Sequence, residues 1–427
     1  MLARARSLPC LLFAGVLVAY VLSPVHTPFD SRWSIHTAMS MLREGNTDLD
    51  EYGEQLRRSN DYAIDHVGGH SFSRYPIGAS LVALPFVWLA DRVGQAAFGF
   101  DLDAYLRRRG SGATECVIAS FVVALTAVVI YSIGRLFLDP RRSIVLALVF
   151  SFCTSAWSTA SRALWQHGPS MLATSAALYV ILRARERPRL LPLAALPLAV
   201  SYVMRPTNSL SIAVWTLYVA LTDRRALPRY LLWAAPIALP FLVYNRAVLG
   251  AFFPEYYRPE WNRGWAEALA ANLVSPGRGL LVYSPVVVFS FLGAWWKHRA
   301  RRWNGVDTAV LTIIALHWLT ISLLAPWNWW GGHSFGPRLF SDPLPYLMYF
   351  MIFALEALFA PGAARAPALR AAFVLLAALS FAVHFRGATT WAVHDWNTKP
   401  SNIDVEPGRI WDWRDAQFLR GLPGDRG

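Results

Sequence analysis

The residue whose type and position most clearly could carry chemistry is Asp30. A hydrophobic segment over residues 11–25 ends shortly before it, so its carboxylate lies within about one helical turn of a membrane surface. One interpretation is general-base catalysis, in which Asp30 accepts the proton of a substrate hydroxyl. The other is that Asp30 caps an interfacial helix starting at Ser31, because Asp is a common N-cap residue.

Three arginines stand where an anion could be bound. Arg74 lies beside Tyr75, at the point where the chain re-enters the membrane. Arg278 lies in the sequence SPGRG, and Arg338 follows a Gly-Pro pair. The guanidinium fork matches phosphate geometry, although a snorkelling side chain at Arg74 and structural roles for the other two are the alternatives. We predict that the three arginines line one external cavity as phosphate or sugar ligands, with Tyr75 beside them.

Two histidines and a run of tryptophans could bind a sugar. His167 lies in LWQHGP and His333 in WNWWGGHSFGPR, and each imidazole could bind sugar hydroxyls, shuttle a proton or only make a loop hydrogen bond. Trp327, Trp329 and Trp330 could stack on a sugar ring. The competing interpretation of these tryptophans is anchoring at the membrane interface.

Acidic residues are concentrated in the stretch that follows Asp30. Asp48, Asp50 and Glu51 could bind a divalent metal, but their spacing is too loose to specify one. No cofactor is therefore certain, and a divalent metal stays open. The chain has no Walker A sequence and no Gly-rich dinucleotide fingerprint, which argues against a nucleotide-sugar donor used inside the cell.

The elements that must position these residues are membrane helices. The 427 residues are 55% hydrophobic with mean hydropathy +0.34, and apolar stretches near 20 residues follow one another. This pattern predicts an all-α, polytopic helical membrane protein, with residues 1–427 forming a single integral membrane domain among membrane lipids. The net charge of +13 lies in short linkers between helices, which is the positive-inside pattern and gives no reason to expect a nucleic-acid partner.

Linker charge predicts the topology. The basic linkers expected in the cytoplasm are 139–142, 183–189, 223–229 and 297–302. The predicted extracytoplasmic segments are the first loop, 26–78, a second large loop, 249–279, and the C-terminal tail, 386–427. This alternation gives about eleven crossings, with the N-terminus inside. It leaves segment 75–91, which contains prolines and glycine, as a re-entrant or shallow segment. Residues 335–358 count as one hydrophobic crossing.

The polar, aromatic-rich linkers all fall on the same side as Asp30. An aromatic belt should decorate both membrane interfaces, whereas the cytoplasmic linkers are short and rich in arginine. The asymmetry therefore predicts an active site on the extracytoplasmic face.

The order of these motifs resembles the GT-C superfamily of membrane glycosyltransferases, which includes protein O-mannosyltransferases, aminoarabinose transferases and mycobacterial mannosyl- and arabinosyltransferases. The resemblance covers nearly the whole chain. It rests on Asp30 just after the first helix, a Tyr-Pro-x-Gly entry at 75–78, LWQHGP at 164–169, SPGRGLLVYSP at 275–285 and WNWWGGHSFGPR at 327–338.

The resemblance implies a polyprenyl-phosphate-sugar donor and inversion at the anomeric carbon. It also implies that Asp30 deprotonates an acceptor hydroxyl, that Arg74 binds the donor phosphate, and that the protein lies in a bacterial-type inner membrane. The acceptor, whether glycan, lipid or protein, does not transfer from the resemblance. Several relatives carry a second acid where this chain has His167, so metal dependence stays open.

Three other interpretations compete with this one: a transporter or flippase, an oligosaccharide ligase and a purely structural subunit. A transporter or flippase for lipid-linked glycans would need polar residues deep in its helices, often with repeated halves, and the sequence shows neither acidic residues deep in the helices nor repeated halves. An oligosaccharide ligase would transfer a whole glycan from a lipid pyrophosphate and would also use external arginine and histidine.

Overall fold

The structure is a computed structural model that describes residues 2–59, 62–253, 259–325, 328–360 and 367–422. Its α-helices are α1 (Leu2–Val21), α2 (Ser34–Arg43), α3 (Gly53–Ser59), α4 (Gly78–Phe98), α5 (Leu102–Arg109), α6 (Gly112–Gly134), α7 (Pro140–Phe152), α8 (His167–Ala184), α9 (Ala195–Met204), α10 (Ser209–Thr222), α11 (Leu227–Val248), α12 (Trp265–Val274), α13 (Leu280–Tyr283), α14 (Val288–Arg299), α15 (Gly305–Leu323), α16 (Leu344–Leu358), α17 (Pro367–Thr389) and α18 (Ala392–Asp395). Trp327 lies outside the described residues.

One β-hairpin interrupts the otherwise helical architecture. Strands β1 (Ile64–Val67) and β2 (His70–Ser73) pair antiparallel in the first loop. Gly68 and Gly69 form the turn with φ angles of 60° and 90°, values that favour glycine. The predicted all-α class is therefore confirmed, with this hairpin as a small addition.

Within the described residues, five helices are long and apolar enough to cross a membrane. They are α4, α6, α11, α15 and α17. Shorter apolar helical stretches occur at Ser7–Val21, Pro188–Met204 and Leu344–Leu358. These lengths support a polytopic membrane protein, and the count of eleven crossings stays a prediction.

The segment predicted to be re-entrant or shallow is a continuous helix. α4 runs for 21 residues and carries Pro85 in its interior without a break. A re-entrant turn would need an interruption of the helix, so that alternative is wrong for this segment. Gly78 is the first residue of α4. A Cβ at this position would lie 2.6 Å from the Val203 carbonyl oxygen, so the lack of a side chain lets α4 pack against α9.

Close helix packing builds the core. α6 packs against α1, α7 and α8, and α14 packs against α16. In the second pair the backbones approach at Gly293, where a Cβ would lie only 2.1 Å from the Phe350 carbonyl oxygen. Small residues at such crossings are typical of membrane helices, whose association depends on packing.

A buried carboxylate ties the first loop to the bundle. Glu115, in the first turn of α6, accepts hydrogen bonds from the hydroxyls of Ser31 and Ser111 and from the Leu164 amide at 3.2 Å. It therefore connects the residue next to Asp30 with the 164–167 segment. Two of the motifs found in the sequence are brought together by this contact.

A buried arginine fixes the chain just before that segment. The chain makes a single π-helical turn at Ala156–Ala160, and Arg162 follows it. Its guanidinium donates to the carbonyl oxygens of Tyr20 at 2.5 Å and Ser23 at 2.9 Å, at the end of α1. These bonds satisfy carbonyls that a helix end leaves unpaired.

Candidate active site

A cavity of about 550 Å³ opens beside Asp30. Its wall is built by seven separate parts of the chain: residues 30–34, 75–79, 164–167, 205–207, 259–260, 320–325 and 328–339. Of the residues singled out from the sequence, Asp30, Tyr75, His167 and Arg338 line this cavity. Arg74, Arg278, Trp330 and His333 are not among the lining residues.

Asp30 lies on the cavity wall with 18% of its side chain exposed. Its Oδ2 atom is 2.9 Å from Arg338 Nη2, and its Oδ1 accepts a hydrogen bond from the Tyr62 hydroxyl at 3.0 Å. Helix α2 has Trp33 as its N-cap residue and no side-chain capping bond. The interpretation of Asp30 as the cap of this helix is therefore wrong, and its two carboxylate oxygens face Arg338 and Tyr62 instead.

Arg338 is held over an aromatic ring. Its Cζ lies 4.1 Å from the centre of the Trp165 ring, and only 8% of the residue is exposed. Cation–π contact of this kind orients the guanidinium plane. While Nη2 meets Asp30, Nε has no hydrogen-bond partner among the described residues. The side chain therefore keeps donor capacity on the wall of the cavity.

The turn before Arg338 depends on the C-terminal tail. Gly336 has φ of 58° and its amide donates to Gln417 Oε1 at 3.0 Å. A Cβ at Gly336 would lie 2.4 Å from the Tyr283 ring. Glycine is needed here both for the left-handed backbone and for the close approach.

A second group of charged and polar side chains lies at the cavity wall, and two of its three members, Arg205 and Asp342, were not predicted from the sequence. Arg205 Nε is 2.8 Å from Asp342 Oδ2, and His167 Nδ1 is 3.3 Å from the same oxygen. All three side chains are at least nine-tenths buried. Arg205 and His167 line the cavity, and Asp342 lies behind them.

Asp342 is ionised because of its two partners. Burial alone would raise the pKa of this carboxyl, but the positive charge of Arg205 and the contact with His167 outweigh it and hold the pKa well below its usual range. The carboxylate therefore stays charged at any ordinary pH. Sequence reasoning missed Asp342 because residues 335–358 were counted as one hydrophobic segment, whereas α16 begins only at Leu344.

Arg278 is a structural centre for the C-terminal tail. Its buried guanidinium donates to the carbonyls of Trp330 at 2.7 Å and Gly332 at 3.0 Å. It also donates to Asn397 Oδ1 and Gln417 Oε1, each at 2.8 Å. These acceptors use its donors, and the side chain lies outside the cavity wall. The prediction that Arg74, Arg278 and Arg338 line one cavity is therefore wrong, because only Arg338 of the three lines it.

We predict that replacing Arg278 with Met destabilises the protein. The change leaves the buried carbonyls of Trp330 and Gly277 and the Oδ1 atom of Asn397 without a donor among the described residues, and each unpaired group costs about 1–3 kcal/mol. We expect the free energy of unfolding to fall by at least about 3 kcal/mol, seen as a lower melting temperature in detergent. The matched control is Arg74→Met, at a half-exposed arginine. Equal melting temperatures for Arg278→Met and the wild type would contradict the structural role.

Arg74 belongs to the hairpin. Its Nε donates to Asp65 Oδ1 at 2.7 Å, and the side chain is 35% exposed. The neighbouring Tyr75 is buried and lines the cavity. The donor-phosphate role that the resemblance gave to Arg74 thus has no support from its position, since a residue one step along the chain faces the cavity instead.

Trp330 and His333 contact the C-terminal tail. The Trp330 indole donates to Asp404 Oδ1 at 2.8 Å, and His333 Nε2 lies 2.9 Å from Asn402 Oδ1. Trp329 is also buried in this region. The tryptophan run therefore fastens the tail to the 328–339 loop in the described residues, with neither indole of the pair on the cavity wall.

A possible metal cluster differs from the one expected. Ligand atoms of Asp48, Asp50 and His70 all lie within 4.8 Å of one another. Glu51 is directed elsewhere and accepts a hydrogen bond from the Ser40 hydroxyl. The hydrogen bond to Asp50 raises the pKa of His70. The spacing of residues in the sequence could not identify His70 as a possible ligand, because only the folding of the hairpin places it beside Asp48 and Asp50.

No known family profile matches the sequence, and no curated protein matches it. Solved structures do share its fold. The Archaeoglobus fulgidus oligosaccharyltransferase in complex with Zn and sulfate superimposes with a TM-score of 0.53 at 13% identity, covering 99% of this chain and 58% of that one. The same enzyme tethered to an acceptor peptide gives a TM-score of 0.52 at 12% identity, covering 98% and 60%.

ArnT from Cupriavidus metallidurans bound to undecaprenyl phosphate gives a TM-score of 0.51 at 14% identity, covering 89% of this chain and 71% of that one. The chain thus spans about three fifths of the length of the archaeal enzyme. Both neighbours belong to the GT-C superfamily. The resemblance predicted from the sequence is therefore confirmed at the level of the fold, which is that of an integral membrane protein.

Proposed function

We propose that this protein is a membrane glycosyltransferase that moves a sugar from a polyprenyl-phosphate donor to an acceptor hydroxyl on the extracytoplasmic face. One observation carries the proposal. Asp30 and two buried arginines, Arg205 and Arg338, lie on the wall of a single cavity within a GT-C fold. A proton acceptor and a phosphate site in one cavity are the two elements that the reaction needs.

The reaction is a single displacement with inversion. The acceptor oxygen attacks the anomeric carbon, forming a new C–O bond as the bond from that carbon to the phosphate oxygen breaks. The acceptor proton passes to Asp30, and the bonding electrons leave with the phosphate. The leaving group is already an anion, so no general acid is required, and the arginines stabilise the charge that develops on it.

Arg338 and Arg205 are the phosphate ligands in this proposal. Both guanidinium groups are buried and line the cavity, where low polarity strengthens their attraction for an anion. Arg338 also contacts Asp30 at 2.9 Å. Inversion requires the acceptor oxygen and the leaving phosphate on opposite faces of the anomeric carbon, so Arg338 would use its Nε, unpartnered among the described residues, for the phosphate while Nη2 keeps Asp30 within reach of the same sugar ring.

The fold neighbours support the class of donor. ArnT was solved with undecaprenyl phosphate, a polyprenyl phosphate, and the archaeal oligosaccharyltransferase with an acceptor peptide. We propose a donor lipid of the first kind for this chain. The acceptor is a glycan, lipid or protein hydroxyl. Mass spectrometry of cell-envelope glycans from a deletion strain tests this: loss of one sugar supports the proposal, and an unchanged envelope contradicts it.

Asp48, Asp50 and His70 are the residues that would hold a divalent metal. Their mixed carboxylate and imidazole donors suit zinc or manganese. A metal there would join the 48–50 turn to the hairpin and would offset the negative charge of the acidic side chains in the first loop. The cluster is outside the cavity wall, so the proposed reaction does not involve it.

We further propose that α4 lies along the extracytoplasmic membrane surface. α1 packs against α6, and Ser31, in the segment between α1 and α2, bonds to Glu115 in the first turn of α6. The end of α1 and the start of α6 are therefore on one side. Arg43 of α2 contacts Asp91 of α4 at 2.8 Å, which keeps the far part of α4 near the first loop. Both ends of α4 thus lie on that side.

This topology predicts the signals of reporter fusions. Reporters fused after Arg187 or Arg301 should read cytoplasmic, because those linkers are basic. Reporters fused after Gly110 or Gly421 should read extracytoplasmic. A cytoplasmic signal after Gly110 would mean that α4 crosses the membrane, and a cytoplasmic signal after Gly421 would overturn the crossing count.

A further inference from the structure

We propose that Asp342 is a positioning residue, which sets His167 so that its Nε2 accepts a hydrogen bond from a hydroxyl of the donor sugar while Arg205 meets the donor phosphate. The inference rests on the proposed function and specifies its donor site.

The geometry begins with one oxygen atom. Asp342 Oδ2 is 2.8 Å from Arg205 Nε and 3.3 Å from His167 Nδ1. Asp342 lies directly after the turn Arg338–Ser341 and before α16, so its position is fixed by the segment that also carries Arg338. The carboxylate thereby connects the wall residues Arg205 and His167 to the segment that carries Arg338, and Asp342 itself is not a lining residue.

The charges favour a neutral imidazole. Asp342 has one negative charge, which the guanidinium of Arg205 already balances at 2.8 Å. His167 is 1% exposed and is the first residue of α8, where the positive end of the helix dipole disfavours an imidazolium ion. Because Nδ1 faces a carboxylate oxygen, the single proton of the ring belongs on Nδ1.

The other ring nitrogen is then a hydrogen-bond acceptor. His167 Nε2 is buried with no other polar atom of the described residues bonded to it, Nδ1 lies 3.3 Å from Asp342 Oδ2 outside hydrogen-bond geometry, and His167 lines the cavity. An ionised phosphodiester has acceptors only, so it cannot bond to a lone pair on Nε2. A sugar hydroxyl can donate to it. This nitrogen therefore selects a hydroxyl and excludes phosphate.

The hydroxyl belongs to the donor sugar rather than to a distant acceptor. Arg205 and His167 are held by the same oxygen atom, within 3.3 Å each. A hydroxyl on His167 therefore lies near a phosphate on Arg205. The sugar attached to that phosphate is the group that reaches both, which makes a hydroxyl-bearing donor sugar the substrate class.

The first test is the tautomer of His167. In ¹⁵N-histidine-labelled protein in detergent, NMR should show His167 protonated at Nδ1, with His167→Phe assigning its signal. In Asp342→Asn, the amide oxygen should face Arg205, because a guanidinium can only donate hydrogen bonds. The amide NH₂ group then faces His167 Nδ1, which must accept, so the ring proton should move to Nε2. A wild-type ring protonated at Nε2, or a tautomer that Asp342→Asn does not change, would overturn the proposal.

The second test separates sugar from phosphate. His167→Phe keeps a ring in place, so its affinity for undecaprenyl phosphate, which has no sugar, should stay within about threefold, while transfer falls at least about tenfold. Asp342→Asn should also cost transfer at least about tenfold, but less than about threefold in the His167→Phe background, because the two act as one unit. A merely structural Asp342 would give losses that multiply.

Each result has a defined meaning. The role in sugar binding is overturned if the losses of transfer from Asp342→Asn and His167→Phe multiply in the double variant. It is also overturned if His167→Phe weakens undecaprenyl-phosphate binding as much as Arg338→Ala does. If the wild type neither transfers sugar nor binds undecaprenyl phosphate, the proposed function fails. The NMR result still decides whether Asp342 positions His167, so the two failures are distinguishable.

Discussion

Replacing Asp30 with Asn is expected to lower turnover by at least about a hundredfold, because correctly placed general bases contribute roughly 10²–10⁴-fold. Asn keeps the size of the side chain and an oxygen that can accept from the Tyr62 hydroxyl, now 3.0 Å from Asp30. It loses the charge and the ability to take the acceptor proton. Turnover should therefore fall while the protein still inserts, folds and binds undecaprenyl phosphate.

The matched control is Asp65→Asn, since Asp65 is an acid of the same loop that pairs with Arg74 outside the cavity wall. We expect this variant to keep turnover within about threefold, as is usual for exposed ion pairs. An Asp30→Asn enzyme that is as active as the Asp65→Asn enzyme would remove Asp30 from the mechanism.

Replacing Arg338 with Ala is expected to reduce turnover by about 10²–10³-fold, the range for losing a group that stabilises charge in the transition state. Arg338 is buried on the cavity wall, stacked on Trp165 and 2.9 Å from Asp30. Arg338→Lys keeps the charge but loses the fork and the stacking of the guanidinium plane. We expect it to lose at least about tenfold in the ratio of kcat to KM for the donor.

Arg74→Lys provides the comparison for Arg338→Lys. Its guanidinium is paired with Asp65 and partly exposed, so this change should leave donor kinetics within about threefold. Steady-state kinetics with purified enzyme measures both. A larger loss for Arg74→Lys than for Arg338→Lys would return the phosphate role to Arg74 and contradict the assignment made from the cavity.

Sequence alone could locate the cavity wall at Asp30 because membrane boundaries are readable from hydropathy and a carboxylate at such a boundary is unusual. His167 and Arg338 were found for a similar reason, since polar residues next to Gly-Pro pairs break otherwise apolar stretches. These signals are local. They identify which residues are exceptional, and the fold decides which of them meet.

Arg278 shows the limit of local signals. Its flanking glycines could let a backbone approach an anion, but they admit the protein's own chain instead. A Cβ at Gly277 would lie 2.9 Å from Ile410 Cα, and one at Gly279 would lie 2.6 Å from the Ser275 amide nitrogen. The partner of the first is more than a hundred residues away in the tail, which no local pattern reveals.

Arg205 and Asp342 were missed because each is unremarkable in its own segment. Arg205 lies in a short linker after α9, and Asp342 stands among apolar residues just before α16. Only the packing of these segments brings the two charges to 2.8 Å. A charge counted inside an apolar stretch is costly in a membrane, and that cost is the signal that could have identified Asp342.

The most direct test of the central claim uses purified protein, a panel of polyprenyl-phosphate sugars and an envelope extract as acceptor. Mass spectrometry follows the lipid product. We predict that the wild type releases polyprenyl phosphate from at least one donor only when acceptor is present, and that Asp30→Asn reduces this release at least about a hundredfold. Release that is equal in both proteins, or no release from any donor, would contradict glycosyl transfer with Asp30 as its base.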